Sequence, residues 1–438
     1  MKIIIAGDGK VGAALTRQFT SEGHDVTVID YNSAILDSSV ERYDVISVEG
    51  NCASMAVLSQ AGVKEADLLI AVTNHDEINL LCCTTAHSMN PKLHTIARIR
   101  NPEYNDQAYR MRDVFGLSMV INPENQAATE IHRLLKYPGF LRRDTFAKGR
   151  MEIVELKIDN GSKLCNVTLS SLNVLVKCRV LVCAVLREGD RIFVTALSEN
   201  LTTLLNSLGI LTHRVRKVLI LGGGTVGYYL ATRLVKEGMR VKIVESNFQR
   251  CQELSAGLPD VDIIHGDVSD QDLLLSEGMP QYDAMVSCTG SDELNMIVSL
   301  YASNCGVPQV ITRLSNADNR SLIDSLSLGS IICPKDLCSN NIARYVRAMK
   351  NQTGAALTVH SIADGKAEAM EFKVDEHTRC CGQPLKEIKL KPNVLLVSIS
   401  HGAAPEIANG ESMFQPGDIV VVVTNGREVL YQLNDIFA

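Results

Sequence analysis

Tryptophan is absent from this chain of 438 residues, and aromatic residues together make up only 5%. Base-stacking platforms and membrane-interface aromatic belts therefore have little to be built from. Charge of one sign is also lacking. Lys+Arg 43 against Asp+Glu 50 gives a net of −7, so no global field draws the chain to nucleic acid. Among the 13 cysteines no Cys-x-x-Cys pair occurs, and the adjacent pairs Cys82–Cys83 and Cys380–Cys381 cannot supply the knuckles of a zinc site. The cysteines read as reduced thiols serving as small apolar residues in a cytosolic protein. The nearest approach to a membrane span, the uncharged run Leu294 to Thr312, carries Asn, Ser, Gln and Pro308 and does not qualify. The amino terminus enters a strand at once (Lys2 to Ala6) without the features of a signal peptide, so the expected location is cytoplasmic.

What is present suits layered α/β structure. Hydrophobic residues make up 46% and charged residues 21%, which excludes wholesale disorder and leaves a core of Val, Ile, Leu and Ala. The length admits about three domains of ordinary size. The dominant pattern is an internal repeat. GDGKVG at Gly7 to Gly12 matches GGGTVG at Gly222 to Gly227, an offset of 215. Leu15, Phe19 and Gly23 match Leu230, Leu234 and Gly238, Asp30 matches Glu245, and Arg98 matches Arg313. VTNHDEINL from Val72 matches CTGSDELNM from Cys288 at an offset of 216. One very long period means duplicated domains, not a solenoid.

Each copy alternates strand and helix. In the first, Ile3–Ala6, Asp25–Asp30, Val45–Val48, Leu68–Val72 and His94–Ile99 are predicted strands. Val11, Ala14/Leu15 and Phe19 form a helical stripe that Gly23 stops. Short β-branched runs separated by helices predict a parallel, doubly wound sheet. A segment of another character follows each copy. MEIVELKI from Met151 and AEAMEFKV from Ala367 open short alternating strands with turn signals such as Asp159–Gly161 and Glu188–Asp190, hence small α+β lobes. The expected domains are 1–135 and 213–350, both Rossmann-like, with lobes 136–212 and 351–438. The basic stretch Lys136 to Arg150 reads as a solvated linker, with a docking patch as the alternative. Gly417 comes seventeen positions after Ser400, whereas the matching Gly189 comes three after Leu186. The first lobe is thus shorter by about fourteen residues. Either it has lost a hairpin or it has specialised in packing.

G-x-G-x-x-G alone is weak evidence, but here it follows a strand, opens an amphipathic helix and precedes an acid. Asp30 lies 18 positions after Gly12, and Glu245 lies 18 after Gly227. That is the dinucleotide fingerprint, present twice. Gly7 and Gly222 allow the tight turn, Gly9 and Gly224 admit a pyrophosphate, and Gly12 and Gly227 let helix and strand pack closely. Asp8, Lys10 and Val11 complete the first loop, and Gly223, Thr225 and Val226 the second. The phosphates would sit on free N–H groups at the helix terminus. Asp30 and Glu245 accept from ribose hydroxyls and repel a 2′-phosphate, which favours NAD-type over NADP-type ligands at both sites. Further candidates lie at other strand ends: Asn51 and Cys52 with Asp267, Thr73 and Asn74 with Thr289 and Gly290, and Arg98 with Arg313. The arginines either pair with phosphate or serve as structural ion-pair partners. Lys10, opposite Thr225 in the repeat, predicts that the first site favours the more highly charged ligand.

A dehydrogenase needs a substrate domain with a proton donor and an anchoring cation, and the lobes offer no shared candidate. No G-x-S-x-G or H-E-x-x-H occurs. His75 matches Ser291, so it reads as a loop residue; no catalytic or metal-binding residue is expected. The glycine loop, Asp30, GNCAS (Gly50–Ser54), AVTNHDEIN (Ala71–Asn79) and ARIRNPEY (Ala97–Tyr104) together resemble the RCK/KTN nucleotide-binding family. The tandem arrangement is similar to the peripheral cytoplasmic subunits of bacterial potassium-uptake systems. The resemblance implies a regulatory, non-enzymatic homo-oligomer, dimer or tetramer, on the inner face of the membrane. It implies docking on a TrkH-like integral membrane potassium transporter and a shape shifted by NAD(H) or ADP/ATP. The shortened first lobe and the difference between His75/Asn74 and Ser291/Gly290 depart from a symmetric pattern. An NAD-dependent oxidoreductase and an RCK-type regulator of another cation or solute carrier are the alternatives.

Overall fold

Alternation of short apolar strands with amphipathic helices produces two parallel sheets, each followed by an antiparallel one. The computed structural model describes the chain except for residues 159–162, 166, 187–190, 210–213, 316–325, 327, 350–355, 364–365, 426–429 and 431. The turns expected at Asp159–Gly161 and Glu188–Asp190, with Gly189, lie outside the described residues, as do the boundaries at 212/213 and 350/351.

The first sheet holds β1 (Lys2–Ala6), β2 (Asp25–Asp30), β3 (Ile46–Glu49), β4 (Leu68–Ala71), β5 (His94–Arg98) and β6 (Met119–Ile121) in the order β3-β2-β1-β4-β5-β6. All its pairings are parallel. The next is a sheet of β7 (Phe140–Phe146), β8 (Met151–Lys157), β9 (Leu181–Leu186) and β10 (Arg191–Leu197), in the antiparallel order β7-β8-β10-β9. The second parallel sheet repeats the first order with β11 (Lys217–Leu221), β12 (Arg240–Glu245), β13 (Asp262–His265), β14 (Ala284–Ser287), β15 (Gln309–Arg313) and β16 (Ser330–Ile332). The last sheet holds β17 (Ala356–Ile362), β18 (Ala367–Lys373), β19 (Val394–His401), β20 (Ala404–Ile407) and β21 (Ile419–Thr424), in the order β17-β18-β21-β19-β20.

The central strands are buried along their length because helices cover both faces. Strand order reverses between β1 and β4, and again between β11 and β14, which opens a crevice at their carboxyl ends. Among the described residues, β20 has no counterpart in the first lobe. Of the two readings of its shortness, the lost hairpin matches the four-strand sheet. The expectation of a solvated linker over Lys136 to Arg150 is corrected. Residues Phe140–Phe146 form β7, with both phenylalanines buried and Arg143 held by Glu152 through two 2.7 Å bonds. Paired charges and flanking aromatics let a basic stretch enter a sheet.

The two parallel domains exchange helices. Pro123–Lys136 follows β6, yet Ala127, Ala128, Ile131, Leu134 and Leu135 pack with Val218, Ile220 and Leu230 of the second domain. Reciprocally, Cys338, Ile342, Ala343 and Val346 of helix Pro334–Met349 pack with Ile3, Ile5, Val11 and Leu15 of the first. Burying Ile131, Leu134 and Leu135 alone contributes roughly 5–9 kcal/mol, so the halves hold together as one body. The lobes also share a core, in which Phe146, Met151 and Phe193 meet Ala369, Val397 and Val421.

Candidate functional site

Each glycine loop joins the end of a central strand to an amphipathic helix, Lys10–Ser21 in one half and Thr225–Lys236 in the other. Gly7 has φ +98° and Gly222 φ +108°, and an added Cβ at either would come within 2.9 Å of the backbone of the next strand-end loop. A Cβ at Gly12 or Gly227 would overlap the carbonyl of Gly7 or Gly222. Those four glycines are required by the protein's own packing. Gly9 and Gly224 are not: both are exposed, and a Cβ there meets nothing within 4 Å. They are also the N-caps of their helices, and neither makes a side-chain capping bond, whereas Asn32 and Asn247 cap the helices that follow. Open space over uncapped N–H groups is a cradle that fits a pyrophosphate.

The acids sit beside the cradles in matching geometry. Asp30 accepts from the backbone N–H of Asp8 (2.7 Å) and of Asn32 (3.0 Å). Glu245 accepts from Gly223 (2.7 Å) and Asn247 (2.8 Å). These bonds fix each carboxylate at the strand end and leave lone pairs for ribose hydroxyls. Behind them the halves differ. Asp8 is 3% exposed and its carboxylate accepts from Ser39 Oγ. Burial pushes its carboxyl above the ordinary range against that hydrogen bond, and neighbouring Asp30 adds to the rise. In the second half the same positions hold Gly223 and Leu254, whose methyl group takes the space of the missing side chain. Arg250, paired with Glu253 at 2.7 Å, bonds the Gly223 carbonyl at 2.9 Å, where the first half has Ile35.

The next strand ends are locked by residues that sequence reasoning quoted but did not assign. Asn79 is fully buried and accepts from the N–H (2.8 Å) and hydroxyl (2.7 Å) of Thr73 while donating to the Arg98 carbonyl (2.9 Å). Asn295 does the same for Thr289 and Arg313. Asp76 and Asp292 tie down the loops after β5 and β15 by accepting backbone N–H groups of Arg100 and Ser315. The signal for all four was their place in the duplicated motif. Arg98 is ion-paired with Glu124 at 2.8 Å, whereas Arg313 donates to the Thr289 carbonyl and its repeat partner of Glu124 is Ser339. Among the described residues, the structural ion-pair reading thus describes Arg98 and not Arg313.

Other expected residues fall around the same crevices. Asn51 and Asp267 are exposed and accept from backbone N–H groups two residues on, at Ala53 and Ser269. The Ser269 N–H, with its hydroxyl, holds the Asp267 carboxyl below the usual range. Asn74 offers its carbonyl to Arg100, and Gly290 lies open at the matching place. Val11 and Val226 are buried core residues, and Cys52 is 3% exposed beneath its loop against Cys82. Lys10 is exposed, and its charge helps hold Glu293 of the other half down, after Glu293's own N–H and the Ser291 hydroxyl. Tyr229, on the second cradle's helix, donates to the Arg100 carbonyl (3.1 Å) and accepts from Asn122 (2.9 Å), so the two crevices touch.

The TrkA-N domain family matches residues 3–123 and 218–334, and the TrkA-C domain family matches 369–436. The chain is 30% identical to the Trk system potassium uptake protein TrkA homolog of Archaeoglobus fulgidus, with all of both chains covered. It is also 30% identical to the Trk system potassium uptake protein TrkA of Vibrio alginolyticus, over 100% of this chain and 98% of that one. Among solved structures, the GsuK RCK domain superposes with a TM-score of 0.63 at 16% identity, over 97% of this chain and 92% of that one. The GsuK channel bound to NAD gives 0.62 at 16% identity, over 97% and 76%. These structural likenesses establish a shared fold. Among the described residues, no helix is long and apolar enough to cross a membrane.

Proposed function

Because this chain belongs to the TrkA family of Trk-system potassium uptake proteins, we propose that it is the nucleotide-binding regulatory subunit of a potassium-uptake transporter. The observation that carries this reading is the pair of open cradles at Gly9 and Gly224, which the protein's own packing leaves free for a ligand. Each would hold the pyrophosphate of NAD(H), or the phosphates of ADP or ATP, on helix N–H groups, with Asp30 or Glu245 on the ribose. The chain acts on an integral membrane partner, TrkH-like in kind, from the cytoplasmic face, and works as a homo-oligomer. It acts as a regulator, not a catalyst.

Shape change follows from linkage. A ligand shifts a conformational equilibrium only by its difference in affinity for the two shapes, and each tenfold difference supplies about 1.4 kcal/mol. Two cradles per chain, joined by exchanged helices and by Tyr229, can add their contributions in one body. The test is rubidium or potassium flux through the reconstituted transporter, with and without the chain and with NADH or ADP. Nucleotide-dependent flux that disappears in a Gly9→Val, Gly224→Val chain is expected. Flux indifferent to both chain and nucleotide refutes the proposal.

A further inference from the structure

We propose a third ligand site, for a small soluble polyanion bearing several phosphate groups, at the end of the second parallel sheet opposite its nucleotide cradle. A cavity of about 1010 Å³ lies there. It is bounded by the starts of β11 and β12, the last turn of the exchanged helix Pro123–Lys136 and helix Leu201–Leu208 of the first lobe. Its size matches that of small-molecule pockets. Five cations line it, Lys136, Arg214, Arg216, Lys217 and Arg240, against a single carboxylate, Glu237. Among the described residues none of the five side-chain charges has a carboxylate within 4 Å; Asp283 is taken up by the backbone N–H groups of Arg216 (2.8 Å) and Lys217 (2.9 Å), and Glu237 already has His132 at 3.0 Å. In a chain whose net charge is −7, this concentration of unpaired positive charge is local.

The duplication supplies an internal control. The first-half counterparts of Arg216, Lys217, Glu237 and Arg240 are Met1, Lys2, Glu22 and Asp25. Lys2 stands directly beside Asp25 in the β1–β2 register, an attractive pair. Lys217 stands directly beside Arg240 in the β11–β12 register, a repulsive pair. Like charges across adjacent strands cost stability, and the first half shows that the fold works with an acid at this position. A cationic cluster that opposes stability and is not required by the fold is the pattern of a binding site. Guanidinium groups bind phosphate bidentately, and three of the five cations are arginines. An occupant would bridge the second nucleotide domain, the exchanged helix of the first and the first lobe, and so brace the three against one another.

The test uses the full chain with both cradles saturated by ADP. Inorganic tripolyphosphate is titrated calorimetrically, and phosphatidylglycerol vesicles are tested separately by co-sedimentation. A further tripolyphosphate site is expected, with affinity lowered about tenfold or more by Arg240→Asp and by Arg214→Gln. Arg240→Asp copies the Lys2–Asp25 pairing, so its melting temperature should hold or rise and loss of binding cannot be ascribed to misfolding. Absence of tripolyphosphate binding, binding unaffected by both variants, or binding to vesicles alone would overturn the proposal.

Discussion

Gly9 and Gly12 lie three positions apart in one loop, yet alanine at each should act on a different property. At Gly9 the backbone is extended (φ −70°, ψ −165°) and a Cβ meets nothing within 4 Å. Losing a glycine N-cap disfavours the helix, while a less flexible unfolded chain favours folding, each by up to about 1 kcal/mol. The ligand-free melting temperature of Gly9→Ala should therefore stay near that of the unmodified chain. A nucleotide at 100 times its dissociation constant stabilises one site by about 2.7 kcal/mol, or several degrees at roughly 2–4 °C per kcal/mol. A methyl group in the cradle that weakens binding about 100-fold reduces the term RT ln(1 + [L]/Kd) to about 0.4 kcal/mol. Gly12→Ala places its Cβ on the Gly7 carbonyl, which only backbone movement can relieve. That should cost about 1–3 kcal/mol or more before any ligand is added. Gly224 and Gly227 repeat the contrast. Scanning calorimetry with and without NADH and ADP reads both effects. If Gly9→Ala and Gly224→Ala keep their full nucleotide shifts, phosphates do not lie over those positions and the cradle argument is wrong.

Other outcomes follow from the same geometry. Asp30→Ala should weaken NADH binding and relax discrimination against a 2′-phosphate, and tighter binding of NADPH than of NADH by the unmodified chain would contradict the role given to the acids. The second site should favour the more highly charged ligand, the reverse of what Lys10 suggests in the sequence. Lys10 faces Glu293 and Arg98 is neutralised by Glu124; at the second site Arg250 is likewise paired with Glu253 at 2.7 Å, but Arg313 has no acid within 4 Å among the described residues. ATP-to-NADH affinity ratios measured in full-length Gly9→Val and Gly224→Val chains decide this, and equal ratios would refute it. Asn79→Ala should destabilise the first domain by about 3 kcal/mol, because Thr73 and Arg98 backbone groups lose their buried partner; urea denaturation measures it. Burial pushes the Asp144 carboxyl up, but Arg142 and His360 outweigh it and hold it at about 2. A depressed folded value stabilises above the ordinary carboxylate range and is lost as pH falls from about 4 to 2. Asp144→Asn should flatten the acid limb of stability in that window, and an unchanged limb would show that the pairing contributes nothing.

Much of the local architecture was legible because it rests on short-range rules. A strand, a glycine turn and an amphipathic helix are neighbours in the chain, and the acid 18 positions on marks the next strand end. β2 runs over Asp25–Asp30 as predicted, and the duplication indicated that the strand order of one parallel sheet recurs in the other. Composition decided the core, since a chain without tryptophan and rich in Val, Ile and Leu can bury parallel strands on both faces.

Tertiary structure decided what depends on partners far apart in the chain. β6 and β16, three residues each, carry too little periodicity to be read alone, and β7 hid in a stretch whose charge resembles a linker until Glu152 neutralises Arg143. Nothing in the stripe Ala127 to Leu135 says whose sheet it covers. An apolar face specifies that it must be buried but not where, and only the assembled fold sends it to the other half. The charge state of each cradle is likewise a sum over distant groups: Glu124 cancels Arg98, Glu293 faces Lys10, and with Ser339 in place of Glu124 Arg313 has no acid within 4 Å among the described residues. Electrostatic energy depends on separations in space, and the linear order of residues does not contain them.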